Sequence, residues 1–130
     1  METSILVDSN VYIALLRSGR DPGEAIFSRY DDTDVAVCGM VQLEVLRGVK
    51  SPKAQAGLKA RFSVMQNLVT DNRLWQQATD LAWTMDRQGK TIPGPDLVIA
   101  ACALRANAAV HTYDGHFKLV PGLRVYCDSL

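Results

Sequence analysis

With 130 residues and 14.3 kDa, the chain has material for one compact domain with one hydrophobic core, read as a single unit over residues 1–130. Its 48% hydrophobic and 22% charged residues exclude a disordered or fibrous protein, and 14 basic against 14 acidic side chains leave no net charge to signal a polyanionic partner. No apolar run approaches the roughly 20 residues needed to cross a bilayer, and strand-like sequence starts too near Met1 to leave room for a signal peptide, so a cytoplasmic location without membrane contact is expected.

Residues Ser4 to Val7 form a short apolar, partly β-branched run that ends at Asp8, and Ser9 to Ser18 carry apolar positions at helical spacing. A strand therefore runs straight into a helix. Asp21-Pro22 opens a second helix toward Tyr30 as an N-cap followed by an N1 proline, and Asp34 to Cys38 reads as a strand broken at Gly39. Helices are expected over Met40 to Val49 and Pro52 to about Asn67, and a short strand over Leu68 to Thr70. Asp71 caps an amphipathic helix that Gly89 stops, and Pro95 starts a nearly all-apolar helix through Leu104. Ala109 to Thr112 and Leu123 to Cys127 supply the last strands. This alternation predicts an α/β fold whose mostly parallel central sheet is flanked by helices on both faces, with ligands outside the carboxyl ends of the strands.

Four carboxylates stand in unusual places. Asp8 closes an apolar strand, where an unpaired charge is costly, although an N-cap role explains it too; Ser9 and Asn10 could take that cap and leave Asp8 free for chemistry. Glu44 is the sole charge in Met40-Val41-Gln42-Leu43-Glu44-Val45-Leu46, or simply an exposed helical glutamate. Asp96 is the only acid from Lys90 to Tyr113 and heads a helix apolar on every side, where the helix dipole would also favour it. Asp114 follows its strand as Asp8 does, or serves as a turn residue beside Gly115. Strand ends and helix starts on one sheet edge converge, and four gathered carboxylates repel unless a hard cation joins them. Mg²⁺ or Mn²⁺ suits such oxygen donors; two histidines without ligand spacing argue against zinc.

Other features carry less. Cys38, Cys102 and Cys127 are odd in number, lack CxxC spacing and lie in apolar runs, so reduced, buried thiols are expected. Between Glu44 and Asp71 no acid interrupts Arg47, Lys50, Lys53, Lys59 and Arg61, which form either a solvated helix face or a phosphate-steering patch.

Taken together, Ile5-Leu6-Val7-Asp8-Ser9-Asn10-Val11, Val41 through Gly48, Gly89 through Ala101 and Thr112-Tyr113-Asp114-Gly115-His116-Phe117 resemble, in order and spacing, the PIN-domain nucleases and within them the VapC toxins. The resemblance covers nearly the whole chain. It implies a PIN-like fold and an endoribonuclease using Mg²⁺ (or Mn²⁺), with Asp8, Glu44, Asp96 and Asp114 as the acidic metal-site residues and Ser9 and Thr112 in or beside the site. It also implies a toxin that inhibits translation by cutting RNA such as tRNA or rRNA, held by a small cognate antitoxin and assembled as a homodimer. Tyr12, Leu15 and Leu16 are candidates for antitoxin contact, with core packing the competing role. The family pattern often places a further acid two residues past the one matching Asp114; here that position is His116, a titratable, softer group in or beside the site.

Two other readings compete. A phosphoaspartyl enzyme or receiver domain also has an acid after its first strand, but the dehalogenase pattern wants a second Asp where this chain has Asn10, and a receiver wants an early acidic pair. The other is a catalytically inert PIN fold acting only as a binding module, against which the presence of all four acids argues.

Overall fold

The computed structural model describes residues 4–130. Five strands form one sheet: β1 (Ile5–Val7), β2 (Val35–Cys38), β3 (Gln66–Leu68), β4 (Ala109–His111) and β5 (Val125–Tyr126). Their spatial order is β3-β2-β1-β4-β5, and every neighbouring pair is parallel. All residues of β1, β2 and β4 are buried. Since successive strand side chains point to opposite faces, both faces of the sheet must be covered.

The cover comes from α1 (Ser9–Arg17), α2 (Pro22–Arg29), α3 (Gly39–Leu46), α4 (Pro52–Ser63), α5 (Asn72–Arg87) and α6 (Gly94–Arg105). The start signals act as their chemistry demands: the side chains of Asp21, Ser51 and Asp71 accept hydrogen bonds from first-turn amides of α2, α4 and α5. On α5, Leu74, Ala78 and Met85 are buried at helical spacing and α5 packs on α6, whose residues Val98 to Ala103 are all buried. Arg105 at the end of α6 reaches Asp71 at 2.6 Å and locks the pair end to end.

Several boundaries differ from expectation. α3 begins at Gly39 and stops at Leu46, before Gly48, rather than running from Met40 to Val49. The next strand lies at Gln66–Leu68 instead of Leu68–Thr70, because α4 ends at Ser63 and β3 is an edge strand: Gln66 and Asn67 are exposed and pair with β2 through backbone alone. Edge strands need no apolar alternation, so their sequence signal is weak. β5 is likewise only two residues long, and Cys127 just beyond it is half-buried rather than buried like Cys38 and Cys102.

Three helices end in the same way. After α1, α5 and α6 the chain turns left-handed at Gly19, Gly89 and Asn107, and the amides of that residue and of the one after it bond back to the last helical turn. Asn107 is the non-glycine case, with φ of 53°, and Arg124 donates to its carbonyl at 2.7 Å. Replacing Asn107 with valine is expected to cost about 1–2 kcal/mol in urea unfolding, because a β-branched residue resists that conformation, while glycine at the same position costs roughly 0.5 kcal/mol or less.

Candidate metal centre

In the sheet order, the chain moves outward from β1 to β2 and β3, then returns to add β4 and β5 on the other side. The crevice at the carboxyl ends of β1 and β4 is thus the topological switch point, where connections diverge and leave room for a ligand. Asp8 is the first residue past β1, and its amide donates to the carbonyl of His111 at the end of β4 at 2.9 Å. Its side chain is turned inward, leaving the residue 3% exposed. One carboxylate oxygen accepts from the Ser9 amide at 2.7 Å, and the other accepts from the Thr112 hydroxyl at 2.8 Å. Asp8 is itself the N-cap of α1, so the expectation that Ser9 or Asn10 would relieve it of that role is not met. Burial raises the Asp8 pKa to about 6, opposed by the Thr112 hydrogen bond and aided by the nearby charges of Asp96 and Glu44.

Glu44 joins through Ser9. The Ser9 hydroxyl lies 3.0 Å from Glu44 Oε1 and 3.3 Å from Asp8 Oδ1, so one proton is shared between two carboxylates. On the other side of the crevice, Asp96 in the first turn of α6 and Asp114 after β4 are joined by His116. His116 Nδ1 is 2.7 Å from Asp114 Oδ1, and Nε2 contacts Asp96 Oδ2. Ligand atoms of Asp96, Asp114 and His116 all lie within 4.8 Å of one another. Backbone turns hold this trio: the His116 amide donates to Asp114 Oδ1 at 3.1 Å, and the imidazole stacks on buried Phe117, ring centres 5.6 Å apart.

All seven residues singled out in the sequence therefore meet at one edge, in two linked groups. Asp8, Ser9, Glu44 and Thr112 form the inner group; Asp96, Asp114 and His116 form the outer one, and the field of Asp96 on Asp8 couples them. The donor set fits a hard divalent cation. It is made of carboxylate oxygens with a single imidazole, and Asp8, whose pKa is raised mainly by burial and further by the charges of Asp96 and Glu44, is a carboxylate that such an ion would stabilise in its charged form.

Asn10 is the residue that sequence reasoning underrated. Its amide donates to the Thr112 hydroxyl at 3.2 Å and accepts from the Tyr113 amide at 3.2 Å. The Asp114 amide also donates to that hydroxyl, at 3.0 Å. Thr112 thus spends its one proton on Asp8 and its lone pairs on Asn10 and Asp114, which fixes the β4 exit relative to Asp8. A second polar residue, directly after Ser9 and before the apolar run from Val11, is the signal that could have revealed it.

Other candidates fall elsewhere. Arg61 is committed to α2, 3.6 Å from Asp21 and over the Phe27 ring, with its guanidinium in the space a side chain at Gly23 would fill. Tyr12 and Leu15 belong to the core, Tyr12 packing edge-on against Phe62, while half-buried Leu16 lines a surface groove of about 570 Å³ with Pro22, Leu58 and Arg61. Contact with Cys38 and burial push the Cys102 thiol up, which keeps it protonated and unreactive.

Comparison with known proteins agrees with this architecture. The family described as PIN domain matches residues 5–123. A chain of DNA-bound VapBC from Salmonella typhimurium superposes with a TM-score of 0.78 at 18% identity, covering 95% of this chain and 96% of that one. A toxin–antitoxin complex from Klebsiella pneumoniae gives 0.73 at 22% identity, covering 98% and 100%. VapC20 of Mycobacterium tuberculosis, a Sarcin-Ricin loop cleaving toxin, gives 0.67 at 19% identity, covering 91% and 95%. No curated protein sequence matches the chain significantly.

The buried Asp8 carboxyl yields a stability test on metal-free protein. Its pKa is about 6 when folded against 3.8 otherwise, so the folded state binds the proton more tightly. The associated stability is fully present below about pH 4 and is lost as pH rises through 6, a total of about 2–3 kcal/mol. In chelator, Asp8→Asn is therefore expected to flatten the fall in urea midpoint between pH 4 and 6.5 and to unfold at higher urea than wild type at pH 8. A lower midpoint for Asp8→Asn at pH 8 would identify Asp8 as a purely structural cap.

Proposed function

The chain belongs to the PIN domain family, and on that premise we propose that residues 1–130 form one divalent-metal-dependent endoribonuclease domain, the toxin of a toxin–antitoxin pair. The observation that carries the reading is the convergence of Asp8, Glu44, Asp96 and Asp114 at the β1–β4 switch point, with two of the acids bridged by His116. Asp8, Asp96 and Asp114 hold Mg²⁺ or Mn²⁺, directly or through water. The bound ion supplies Lewis acidity at the scissile phosphate and at its attacking water.

The chain's own groups do the rest. Ser9 fixes Glu44 by one carboxylate oxygen, leaving the other to orient the attacking water or to join the ligands. Thr112 and Asn10 hold Asp8 against the β4 exit so that the acids keep their spacing when substrate arrives. No side-chain nucleophile is needed and no attack by the 2′-hydroxyl is involved, so the products carry 5′-phosphate and 3′-hydroxyl ends. The substrate is RNA, of tRNA or rRNA type, and its cleavage inhibits translation in the cytoplasm.

A small cognate antitoxin is the expected partner, and a homodimer the expected assembly. Among the three first-helix candidates only Leu16 reaches the surface, on the rim of the groove beside Pro22 and Leu58, which supports that groove as the contact for an apolar antitoxin segment. Among the described residues no helix is long and apolar enough to cross a membrane.

Two measurements test the reading. Purified chain is expected to cleave structured RNA with Mg²⁺ or Mn²⁺ and to stop on addition of chelator, and Asp96→Asn is expected to lower the rate by at least about a hundredfold while the circular dichroism spectrum stays unchanged. Expression is expected to arrest growth unless the product of an adjacent small reading frame is co-expressed. Metal-independent binding of RNA without cleavage would favour an inert binding module instead.

A further inference from the structure

We propose that His116 is itself a ligand of the cation at this centre, and that its nitrogen turns the ion preference toward Mn²⁺ and away from Mg²⁺. The inference rests on the metal-nuclease reading above and goes beyond it by naming a non-acidic ligand and a selectivity. His116 does not sit at a distant rim. Its two ring nitrogens face Asp114 Oδ1 and Asp96 Oδ2, the two outer carboxylates, at hydrogen-bond range or closer. The ring is held in that place by stacking on Phe117, which is fully buried, and by the amide bond of His116 to Asp114.

Two donors on one Mg²⁺ lie at most about 4.2 Å apart, twice a bond of about 2.1 Å. The three donors here are already within 4.8 Å of one another, so small side-chain rotations complete a shared coordination. In the present arrangement each imidazole nitrogen faces a carboxylate oxygen of the same centre, so that the ring and both acids border one common space. Mg²⁺ favours hard oxygen donors and dehydrates reluctantly, whereas imidazole serves transition ions better. An imidazole also brings no negative charge, which lowers the attraction for Mg²⁺ relative to a carboxylate in the same place. The second histidine, His111, is committed elsewhere, with Tyr30 Oη at one ring nitrogen and the Asp128 carbonyl at the other.

That division makes nitrogen ligation directly readable. Mn²⁺ is added to the full-length protein, either at natural abundance or with ¹⁵N-labelled histidine, and pulsed electron paramagnetic resonance records nuclear couplings at neutral pH. A histidine ¹⁴N coupling replaced by ¹⁵N on labelling, and absent from His116→Asp and His116→Ala, is the expected result. Calorimetry is expected to show His116→Asp binding Mg²⁺ about tenfold more tightly, with the Mn²⁺/Mg²⁺ affinity ratio reduced about tenfold, and His116→Ala losing Mn²⁺ affinity without gaining Mg²⁺. Mn²⁺ bound without histidine coupling and with the same ion ratio in all three proteins would overturn the inference, while Mg²⁺-supported RNA cleavage would leave the nuclease reading standing. Failure of both ions to bind wild type at millimolar concentration would overturn both.

Discussion

The contact on which this structure depends is the parallel pairing of β1 with β4. It joins residues about a hundred positions apart in the chain, with Ile5 opposite Ala109 and Val7 opposite His111. Once that register is set, Asp8 and Thr112 emerge side by side, and the 2.8 Å bond between them follows. Asp114 is then two residues from Thr112, and its amide is captured by the same hydroxyl. A shift of β4 by one residue would turn Thr112 and His111 to opposite faces and dissolve the arrangement. The completely buried side chains of Leu6, Val7 and Val110 make such a slip costly, so the hydrophobic core sets the geometry of the polar edge.

The same pairing concentrates negative charge where water is scarce. Asp8 is held by three protein hydrogen-bond donors, yet desolvation outweighs them and its pKa still rises. The protein compensates in part without an ion. Ser9 shares a proton between Asp8 and Glu44, and His116 stands between Asp96 and Asp114. Gathering acids in this way costs the fold some stability, which a cation bound among them would restore.

Much of this was legible in the sequence, and what was not has identifiable physical reasons. The caps at Asp21 and Asp71, the stop at Gly89 and the apolar α6 depend on local chemistry, so the residues announce them. β3 was displaced because Gln66 and Asn67 are strand residues by pairing alone, and pairing is non-local. The acids stood out because Asp8, Glu44 and Asp96 border or interrupt apolar runs and Asp114 follows its strand as Asp8 does. Their grouping into two pairs, the outer one joined by His116, was not legible, since it depends on the β1–β4 register and on where the helix start at Gly94 falls over the sheet edge. Asn10 escaped for the same reason, as its partners Thr112 and Tyr113 lie a hundred residues away.

Structural and chemical explanations of the acids turn out not to compete. Asp8 caps α1, Asp96 sits in the favourable first turn of α6, and Asp114 caps the 3-10 turn that begins at Gly115. Each of these local roles occupies only part of a carboxylate, which has about four acceptor positions on its two oxygens. Capping therefore leaves capacity for a cation while fixing the direction in which that capacity points. A free side chain on a flexible loop would have to lose rotamer entropy on every binding event; a capping carboxylate has already lost it on folding. The helix starts contribute in a second way, because the partial positive charge of their amides moderates the repulsion among acids brought so close. Local folding signals and the proposed metal site thus draw on the same residues, so a capping role for an acid is no argument against a ligand role.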